Sequence, residues 1–286
     1  MVLSRGQVCR PLESRTILHN LVRTMTRDGL SYKQIQNSIF ENTGAHLSKG
    51  SISYWVRGIH KPSGSLNSFR AKPTPELCYV VGVALSDGNL NVHEYHREVL
   101  LSVTDKDFAD EFSRCLGVIL GRAKPYSVRW REKRRRWVVQ GASVLFHQFL
   151  GSSWSNVKKW LEHCERCGFA FLRAFYDGEG SISGRTLTVS NTNRELLQYI
   201  RERLRRAGIV TTSLRLCTKA GTLLKDPTTG RIYVRKKDCF QFSVRAQSLS
   251  KFSQLIGFTI ARKQARLYDA LSGARGKSCK TSNHSP

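Results

Sequence analysis

After its first 75 residues, the chain repeats one pattern of hydrophobic and polar positions. The first copy begins with an apolar helix from Glu76 to Ser86 and contains an amphipathic helix from Asp105 to Leu120, each followed by a pair of short alternating segments typical of strands. The second copy restarts this order with a helix from Phe169. The predicted strands are Leu90 to His93, Val99 to Val103, Tyr126 to Arg131 and Arg136 to Gln140 in the first copy, and a pair around Ser181 and Thr186 to Ser190, then Thr211 to Lys219 and Asp238 to Arg245, in the second. The pattern predicts an α+β fold of two pseudo-symmetric αββαββα half-domains, 76–165 and 166–272, with antiparallel sheets.

Residues 1–70 carry a different pattern, that of a small all-α domain. Ser31 and Ser48 each stand where a helix N-cap is expected, and the third helix, Lys49 to Arg57, keeps its apolar residues on one face. The residues expected to point outward from this helix are Lys49, Ser51, Tyr54 and Arg57. The layout is that of a helix-turn-helix, whose third helix enters the DNA major groove, although a three-helix protein-interaction module is the alternative. Residues 61–75 are predicted to be a linker, and 273–286 a disordered tail.

The charge of the chain indicates its partner. Its 47 Lys and Arg residues face 21 Asp and Glu residues, which gives a formal net charge of +26. Such an excess repels itself in a compact molecule unless a polyanion neutralises it, so nucleic acid is the expected partner. A solvated basic surface or a ribosome-associated protein remains the alternative. With neither a signal-peptide pattern nor a long apolar stretch, we expect no membrane association and a cytoplasmic location.

The eight cysteines are scattered along the chain, as expected for reduced thiols. Cys164 and Cys167 have CxxC spacing and follow His163 directly. A structural zinc site would need a second pair of ligands, and the sequence has no other CxxC or HxxxH pair. The sequence therefore argues against structural zinc.

The two helices that open the copies end alike. The first ends in VGVALSDG and the second in RAFYDGEG, so Asp87 and Glu179 stand at matching places. Small residues at Gly82 and Ala174 would let the two helices pack closely, which would bring both carboxylates together at the negative ends of the helix dipoles. The two carboxylates would repel each other and the helix dipoles, and a bound Mg²⁺ would relieve this repulsion. The alternative is that the Asp-Gly and Glu-Gly pairs are turns that only end the helices. The recurrence of an acid at the same place in both copies favours a metal site.

These residues resemble the motifs of single-chain LAGLIDADG homing endonucleases. The first motif spans Val80 to Gly88 and the second Leu172 to Gly180. The chain departs from the family pattern at Leu85, where the first motif lacks an acid that Asp177 keeps in the second. The resemblance extends to the strand-to-helix junctions Ser102 to Asp105 and Val189 to Thr192, and to a closing helix at Ile260 to Ala265.

The resemblance implies roles for further residues. Asp87 and Glu179 would bind Mg²⁺ or Mn²⁺, with Gly88 and Gly178 beside them in the metal site. Other residues would act near the scissile phosphate: Gln140 and Arg245 at the ends of the last strands, and Asp105 and Asn191, which would order solvent. For each of these four, an ordinary exposed residue at the end of a strand is the alternative.

Strand alternation predicts a basic, amide-rich face on each sheet. Arginine pairs with guanine and glutamine with adenine in the major groove, so these faces are expected to contact DNA. The residues concerned are Arg129, Arg131 and Arg136 in the first copy, and Arg215, Lys219, Gln241 and Ser243 in the second.

The sequence as a whole predicts a monomeric, site-specific DNA endonuclease that makes a metal-dependent double-strand break at a long, asymmetric target. Two alternatives remain. One is a DNA-binding transcription regulator that has lost catalysis. The other is a splicing helper that binds structured intron RNA, which could also be an additional activity of the nuclease.

Overall fold

The computed structural model describes residues 12–62, 69, 71–93, 96–226 and 230–275. Residues 63–68 and 70 of the expected linker and residues 276–286 of the expected tail lie outside the described residues. Within the described ranges, no helix combines the length and the apolar composition needed to cross a bilayer.

Three helices at the beginning of the described chain form a small core of their own. They are α1 (Leu12–Arg27), α2 (Tyr32–Thr43) and α3 (Lys49–Val56). Ser31 and Gln34 form a capping box at the start of α2, and Ser48 accepts a hydrogen bond from the Ser51 N–H at the start of α3. The chain leaves α2 at Gly44, whose φ of 66° favours glycine. The buried side chains are Leu18, Val22, Ile35, Ile39, Ala45 and Ile52.

The first αββαββ sequence predicted from the pattern is present. Its elements are α4 (Pro75–Ala84), β1 (Gly88–His93), β2 (His96–Val103), α5 (Lys106–Ile119), β3 (Arg129–Arg131), β4 (Arg136–Ala142) and α6 (Val144–Leu150). The four strands form an antiparallel sheet in the order β1-β2-β4-β3. A further helix, α7 (Trp154–Leu161), which the sequence pattern did not predict, connects this part to the next.

The second part follows the same order of elements. It contains α8 (Glu165–Glu179), β5 (Gly180–Ser183), β6 (Thr186–Asn191), α9 (Arg194–Arg206), β7 (Arg215–Thr218), β8 (Leu223–Lys225), β9 (Ile232–Val234), β10 (Cys239–Val244), α10 (Leu249–Leu255) and α11 (Ala261–Arg275). Its main sheet is also antiparallel, in the order β5-β6-β10-β7, and β8 pairs only with β9. Leaving that inserted hairpin aside, each sheet orders its strands first, second, fourth, third.

Several predicted elements have other bounds in the structure. β2 begins three residues before the expected Val99, and β3 begins three residues after the expected Tyr126. The helix expected from Phe169 begins four residues earlier, because Cys164 caps α8 through the Cys167 N–H. The strand expected from Thr211 to Lys219 is shorter, since Thr211 forms only an isolated bridge to Val244 and β7 starts at Arg215. The inserted β8–β9 hairpin was not predicted.

Both parts share one hydrophobic core, and α4 and α8 lie at its centre. Most of the side chains of α4 are buried, from Leu77 through Val83. The buried face of α8 includes Phe171, Leu172 and Phe175. Helices that pack at the centre of a shared core have their ends fixed from several sides, so the residues that end these two helices are held in defined positions.

Candidate active site

The backbones of α4 and α8 come into close contact at small residues. A Cβ atom at Gly82 would lie 2.6 Å from the carbonyl oxygen of Phe171 and 2.8 Å from the Cβ of Ala174. Near the other end of the contact, a Cβ at Gly178 would lie 2.5 Å from the Oγ of Ser86. Glycine is therefore required at these positions for the helices to approach this closely, as the pattern of small residues predicted.

This packing places the two acidic residues side by side. Asp87 follows the end of α4 by three residues, and Glu179 is the last residue of α8. Burial raises the pKa of Glu179 to about 7, and the negative charge of Asp87 contributes to that rise. Although Asp87 keeps contact with solvent, the surrounding protein removes part of its hydration and raises its pKa, while the charges of Lys263 and Arg136 oppose the rise.

Asn191 holds the Glu179 side chain. Its Nδ2 donates a hydrogen bond of 2.7 Å to Glu179 Oε1. Its Oδ1 accepts a bond of 2.8 Å from the backbone N–H of Asn193, the residue that caps α9. The amide is thus oriented by the start of α9, and one carboxylate oxygen of Glu179 is fixed while the other remains available.

Lys263, which no sequence motif had singled out, lies buried beneath the acidic pair. Its ammonium donates to the carbonyl oxygens of Tyr176 (3.3 Å), Asp177 (2.5 Å) and Gly180 (2.7 Å). It therefore satisfies carbonyl groups at the C-terminus of α8 and offsets the negative end of that helix dipole. Its charge lowers the pKa values of both Asp87 and Glu179. A lysine spaced regularly along a helix resembles a surface residue, which explains why the sequence did not reveal it.

Asp177, the second acid of the second motif, has a structural role. Its carboxylate accepts hydrogen bonds from the backbone N–H groups of Thr259 (2.9 Å) and Ile260 (3.2 Å), and from the hydroxyl of Tyr79 (3.3 Å). Burial raises its pKa to about 6, and these hydrogen bonds oppose the rise. Asp177 thereby links α4, the end of α8 and the start of α11.

Asp105 and Asn191 do not occupy matching positions, which corrects the expectation from the sequence. Asp105 is the N-cap residue of α5, and its counterpart at the N-cap of α9 is Asn193. Asp105 forms a bidentate ion pair with Arg262, with N···O distances of 2.6 and 2.8 Å. Although partial burial opposes the effect, this ion pair lowers the pKa of Asp105, so the carboxylate is charged but already has a partner.

Gln140 and Arg245 do not match either. In the first sheet Gln140 pairs with Leu100, and the next residue of β2, Leu101, pairs with Gly88 beside the acidic pair. The register of the second sheet makes Ser243, not Arg245, the counterpart of Gln140. Arg245 follows Val244, which pairs with Leu187. That pair is four positions along β6 from Asn191, or roughly 13 Å. The structure therefore does not bring Arg245 to the acidic pair.

The basic face of the first sheet is present as the alternation predicted. Arg129 and Arg131 on β3 share a face with Arg136 and Gln140 on β4, and Arg129 donates to the Gln140 side chain at 3.3 Å. An open groove of about 520 Å³ on this face is lined by Arg131, Arg134 and Gln140, among other residues. Trp130, on the opposite face, is 41% exposed because β3 is the edge strand, and it packs against Trp137.

The second sheet presents a similar polar face. Arg215 on β7 lies opposite Gln241 on β10, and the guanidinium faces the amide. Ser243 is within 2.9 Å of the Thr188 hydroxyl, while Lys219 is exposed just beyond the end of β7. The neighbouring Leu216, which points to the other face, is 40% exposed. It stands on an edge strand next to a bulge between Cys239 and Phe240.

The predicted DNA-contact residues of α3 lie mostly on its open side. Lys49, Tyr54 and Arg57 are exposed, and the Tyr54 ring packs against His60 at a centroid distance of 5.0 Å. Ser51 is half-buried, and its hydroxyl lies 2.9 Å from that of Ser48 in the helix cap. Three of the four residues are therefore accessible to a partner, whereas Ser51 is used within the domain.

The acidic pair has the donor set that a hard divalent cation prefers. It offers two carboxylates at helix C-termini, where the dipoles add negative potential. Within residues 71–93, 96–226 and 230–275, no Lys or Arg forms an ion pair with Asp87 or Glu179. The raised pKa of Glu179 reflects its burial together with repulsion from Asp87, which Asn191 and the charge of Lys263 offset only in part. A bound cation would relieve the repulsion, so the residues present fit a Mg²⁺ or Mn²⁺ site. Gly88 and Gly178 adjoin the pair, and their backbone positions are fixed by β1 and by α8.

Comparisons with known proteins agree with this fold. Residues 167–224 match the family described as LAGLIDADG-like domain. Two uncharacterised proteins of Methanocaldococcus jannaschii are similar to the chain: one is 29% identical over 262 residues, covering 89% of this chain and 93% of that protein. The other is 29% identical over 183 residues, covering 60% of this chain and 66% of that protein. A crystal structure of I-DmoI, a homing endonuclease, with DNA and Ca superposes with a TM-score of 0.50 and 15% identity, covering 70% of this chain and all of that one. The protein thus has a mixed fold of helices and antiparallel sheets like that of LAGLIDADG domains.

Proposed function

We propose that this protein is a divalent-metal-dependent DNA endonuclease of the homing type, and that Asp87 and Glu179 hold the metal. The observation that carries the proposal is a pair of carboxylates at the ends of two helices in close contact, neither of which has an ion-pair partner among the described residues. Burial raises the pKa of Glu179, and the charge of Asp87 adds to the effect. A protein that only binds DNA gains nothing from carboxylates that face phosphates, because they repel the backbone.

When bound, Mg²⁺ would supply charge stabilisation to the attacking and leaving oxygens of a phosphodiester. The protein's own residues would fix the geometry. Asn191 orients the Glu179 carboxylate. Lys263 donates hydrogen bonds to the backbone carbonyl groups of Asp177 and Gly180, on either side of Glu179 in the chain. Asp105, which is paired with Arg262, and Gln140, on the groove face, would contribute to ordering solvent and the phosphate near the reacting centre.

The polar faces of the two sheets would bind the duplex on either side of the acidic pair. Both sheets begin next to the acids, because β1 starts one residue after Asp87 and β5 one residue after Glu179. The exposed cations and amides on these faces match the donors that read base edges in the major groove. Because the two faces differ in sequence, one chain would recognise an asymmetric target without a dimer partner.

We further propose that α1–α3 act as a second DNA-binding unit of the helix-turn-helix type. The support is a separate hydrophobic core and a short, capped α3 that exposes Lys49, Tyr54 and Arg57 on one side. Such a helix has the dimensions of the major groove. This unit would lengthen the DNA site and raise affinity, since a second linked contact is effectively intramolecular.

Cleavage of a random-sequence DNA library tests the catalytic proposal for any target sequence. Plasmids carrying random inserts are incubated with the protein in Mg²⁺ or in EDTA, and the new DNA ends are sequenced. We expect recurrent double-strand breaks at one sequence in Mg²⁺ and none in EDTA. Asp87→Asn and Glu179→Gln should each lower cleavage at least about 100-fold. The control Asp110→Asn changes an exposed acid on α5 that is paired with Lys106, and it should cleave like the wild type.

The same experiment separates the alternatives when DNA binding is measured beside cleavage. A wild-type protein that selects a defined DNA sequence but never cuts it would support a DNA-binding regulator and refute the nuclease. Selection of structured RNA in preference to duplex DNA would support the splicing helper.

A further inference from the structure

A cluster of sulfur and imidazole groups lies at the opposite end of α8 from the acidic pair. The side-chain ligand atoms of His163, Cys164 and Cys167 all lie within 4.8 Å of one another. α8 has 15 residues between this end and Glu179, which corresponds to roughly 20 Å of helix. The cluster is therefore separate from the candidate active site, and the proposed cleavage does not use it.

The helix start arranges these three groups. Cys164 is the N-cap residue of α8, and its sulfur accepts the backbone N–H of Cys167 at 3.5 Å. One turn of helix thus brings the two CxxC sulfurs to the same side, and His163 joins them from the preceding residue. Both sulfurs lie at the positive end of the α8 dipole, where a negatively charged sulfur is favoured. A thiolate is the form that binds metal.

A fourth cysteine supports the cluster from the other central helix. Cys78 of α4 is fully buried, and its thiol lies against the sulfur of Cys167 and donates to the Trp160 carbonyl oxygen at 3.4 Å. The spacing in the sequence gave no reason to group Cys78 with a CxxC pair 86 residues later. The packing of α4 against α8 therefore places a further sulfur beside the CxxC pair.

We propose that His163, Cys164 and Cys167 bind one zinc ion, with the buried Cys78 thiol packed beside the Cys167 sulfur. Zinc takes nitrogen and thiolate ligands, and a tetrahedron with Zn–S distances of about 2.3 Å has edges of roughly 3.8 Å, within the observed separations. His163 is exposed and Cys164 half-buried, so the fourth position is open to water. The ion would fix the link between α7 and α8. A redox-active Cys164–Cys167 dithiol is the competing interpretation, but it leaves the third ligand unexplained.

Metal titration of the full-length protein tests the proposal. The reduced protein is stripped with a chelator and titrated with Zn²⁺ against a chromophoric chelator, and Co²⁺ is added separately to record thiolate-to-cobalt absorption. We expect one ion per chain and a cobalt spectrum typical of tetrahedral sulfur coordination. Cys164→Ser and the exposed His163→Gln should each weaken zinc binding at least about 100-fold, whereas Cys78→Ser, which changes a neighbour of the ligands and not a ligand, should weaken it about 10-fold.

Matched controls keep the result interpretable. Cys217→Ser changes an exposed cysteine far along the chain from the three proposed ligands. Its thiol donates a hydrogen bond to the Cys239 carbonyl oxygen, and the substitution should leave zinc affinity unchanged. Because His163 is exposed, its variant should fold like the wild type by circular dichroism even where Cys78→Ser does not. A reduced wild-type chain without tight zinc binding would overturn the proposal, as would unchanged affinity in Cys164→Ser. A chain that forms a Cys164–Cys167 disulfide under mild oxidation and binds no zinc would establish the dithiol instead.

Discussion

Removing the charge of Glu179 should stabilise the metal-free protein while it abolishes cleavage. The pKa of Glu179 is raised from 4.5 to about 7. At about 1.4 kcal/mol per pKa unit, the ionised carboxylate costs the folded state roughly 3 kcal/mol above pH 7. Glu179 keeps some contact with solvent, so we expect about 2 kcal/mol after screening. The cost is absent below pH 4.5, where the group is protonated in both states, and it grows as the pH rises toward 7. Glu179→Gln keeps an oxygen that Asn191 can donate to, so the hydrogen bond survives.

Urea denaturation of the wild type and Glu179→Gln at pH 5 and pH 8, both in EDTA, measures this effect. The variant should be more stable by about 2 kcal/mol at pH 8 and by well under 1 kcal/mol at pH 5. The control Glu202→Gln removes an exposed charge whose pKa Arg205 and Arg206 hold down to about 2, and it should not stabilise the protein. A wild type that is equally or more stable than Glu179→Gln at pH 8 would show that neither burial nor the neighbouring carboxylate penalises the charge of Glu179, and would refute the reasoning.

Three further predictions concern the framework of the site. Gly82→Val should destabilise the protein by about 2 kcal/mol or more in urea denaturation, since its side chain would strike the Phe171 carbonyl, whereas Gly273→Ala, in open space on α11, should be neutral or stabilising. Asp177→Ala should lower the free energy of unfolding by about 3 kcal/mol in the same assay, because three hydrogen bonds are lost. Below its melting temperature this variant should still cut DNA. Loss of cleavage in the folded variant would contradict the structural role of Asp177. Lys263→Met should raise the pKa of Glu179 and move the acid limb of the cleavage rate to higher pH; an unchanged pH profile would show that this ammonium does not act on the acidic pair.

The hydrophobic pattern and the small residues were sufficient to predict the centre of the molecule. The repeated motif at the ends of the two helices predicts three features. These are the matching helix ends, the place of Gly82 opposite α8, and the juxtaposition of Asp87 with Glu179. The order of helices and strands along each αββαββ unit follows as well from the periods of the pattern.

Features that depend on register or on distant contacts could not be predicted. Arg245 lies two residues beyond Ser243, the true counterpart of Gln140, because side chains two residues apart share a face and only the pairing fixes the level. Lys263 gave no signal, since its three partners are backbone carbonyls far away in sequence. Cys78 and Cys167 likewise meet only because α4 and α8 pack together.

Anomalous scattering from crystals grown with Mn²⁺ and a selected DNA target tests the central claim most directly. We expect a manganese peak between α4 and α8, at about 2.0 to 2.2 Å from a carboxylate oxygen of Asp87 and from one of Glu179. The peak should disappear in Asp87→Asn. A manganese ion bound elsewhere on the chain, or DNA bound with no ion near these two carboxylates, would contradict the proposed metal site.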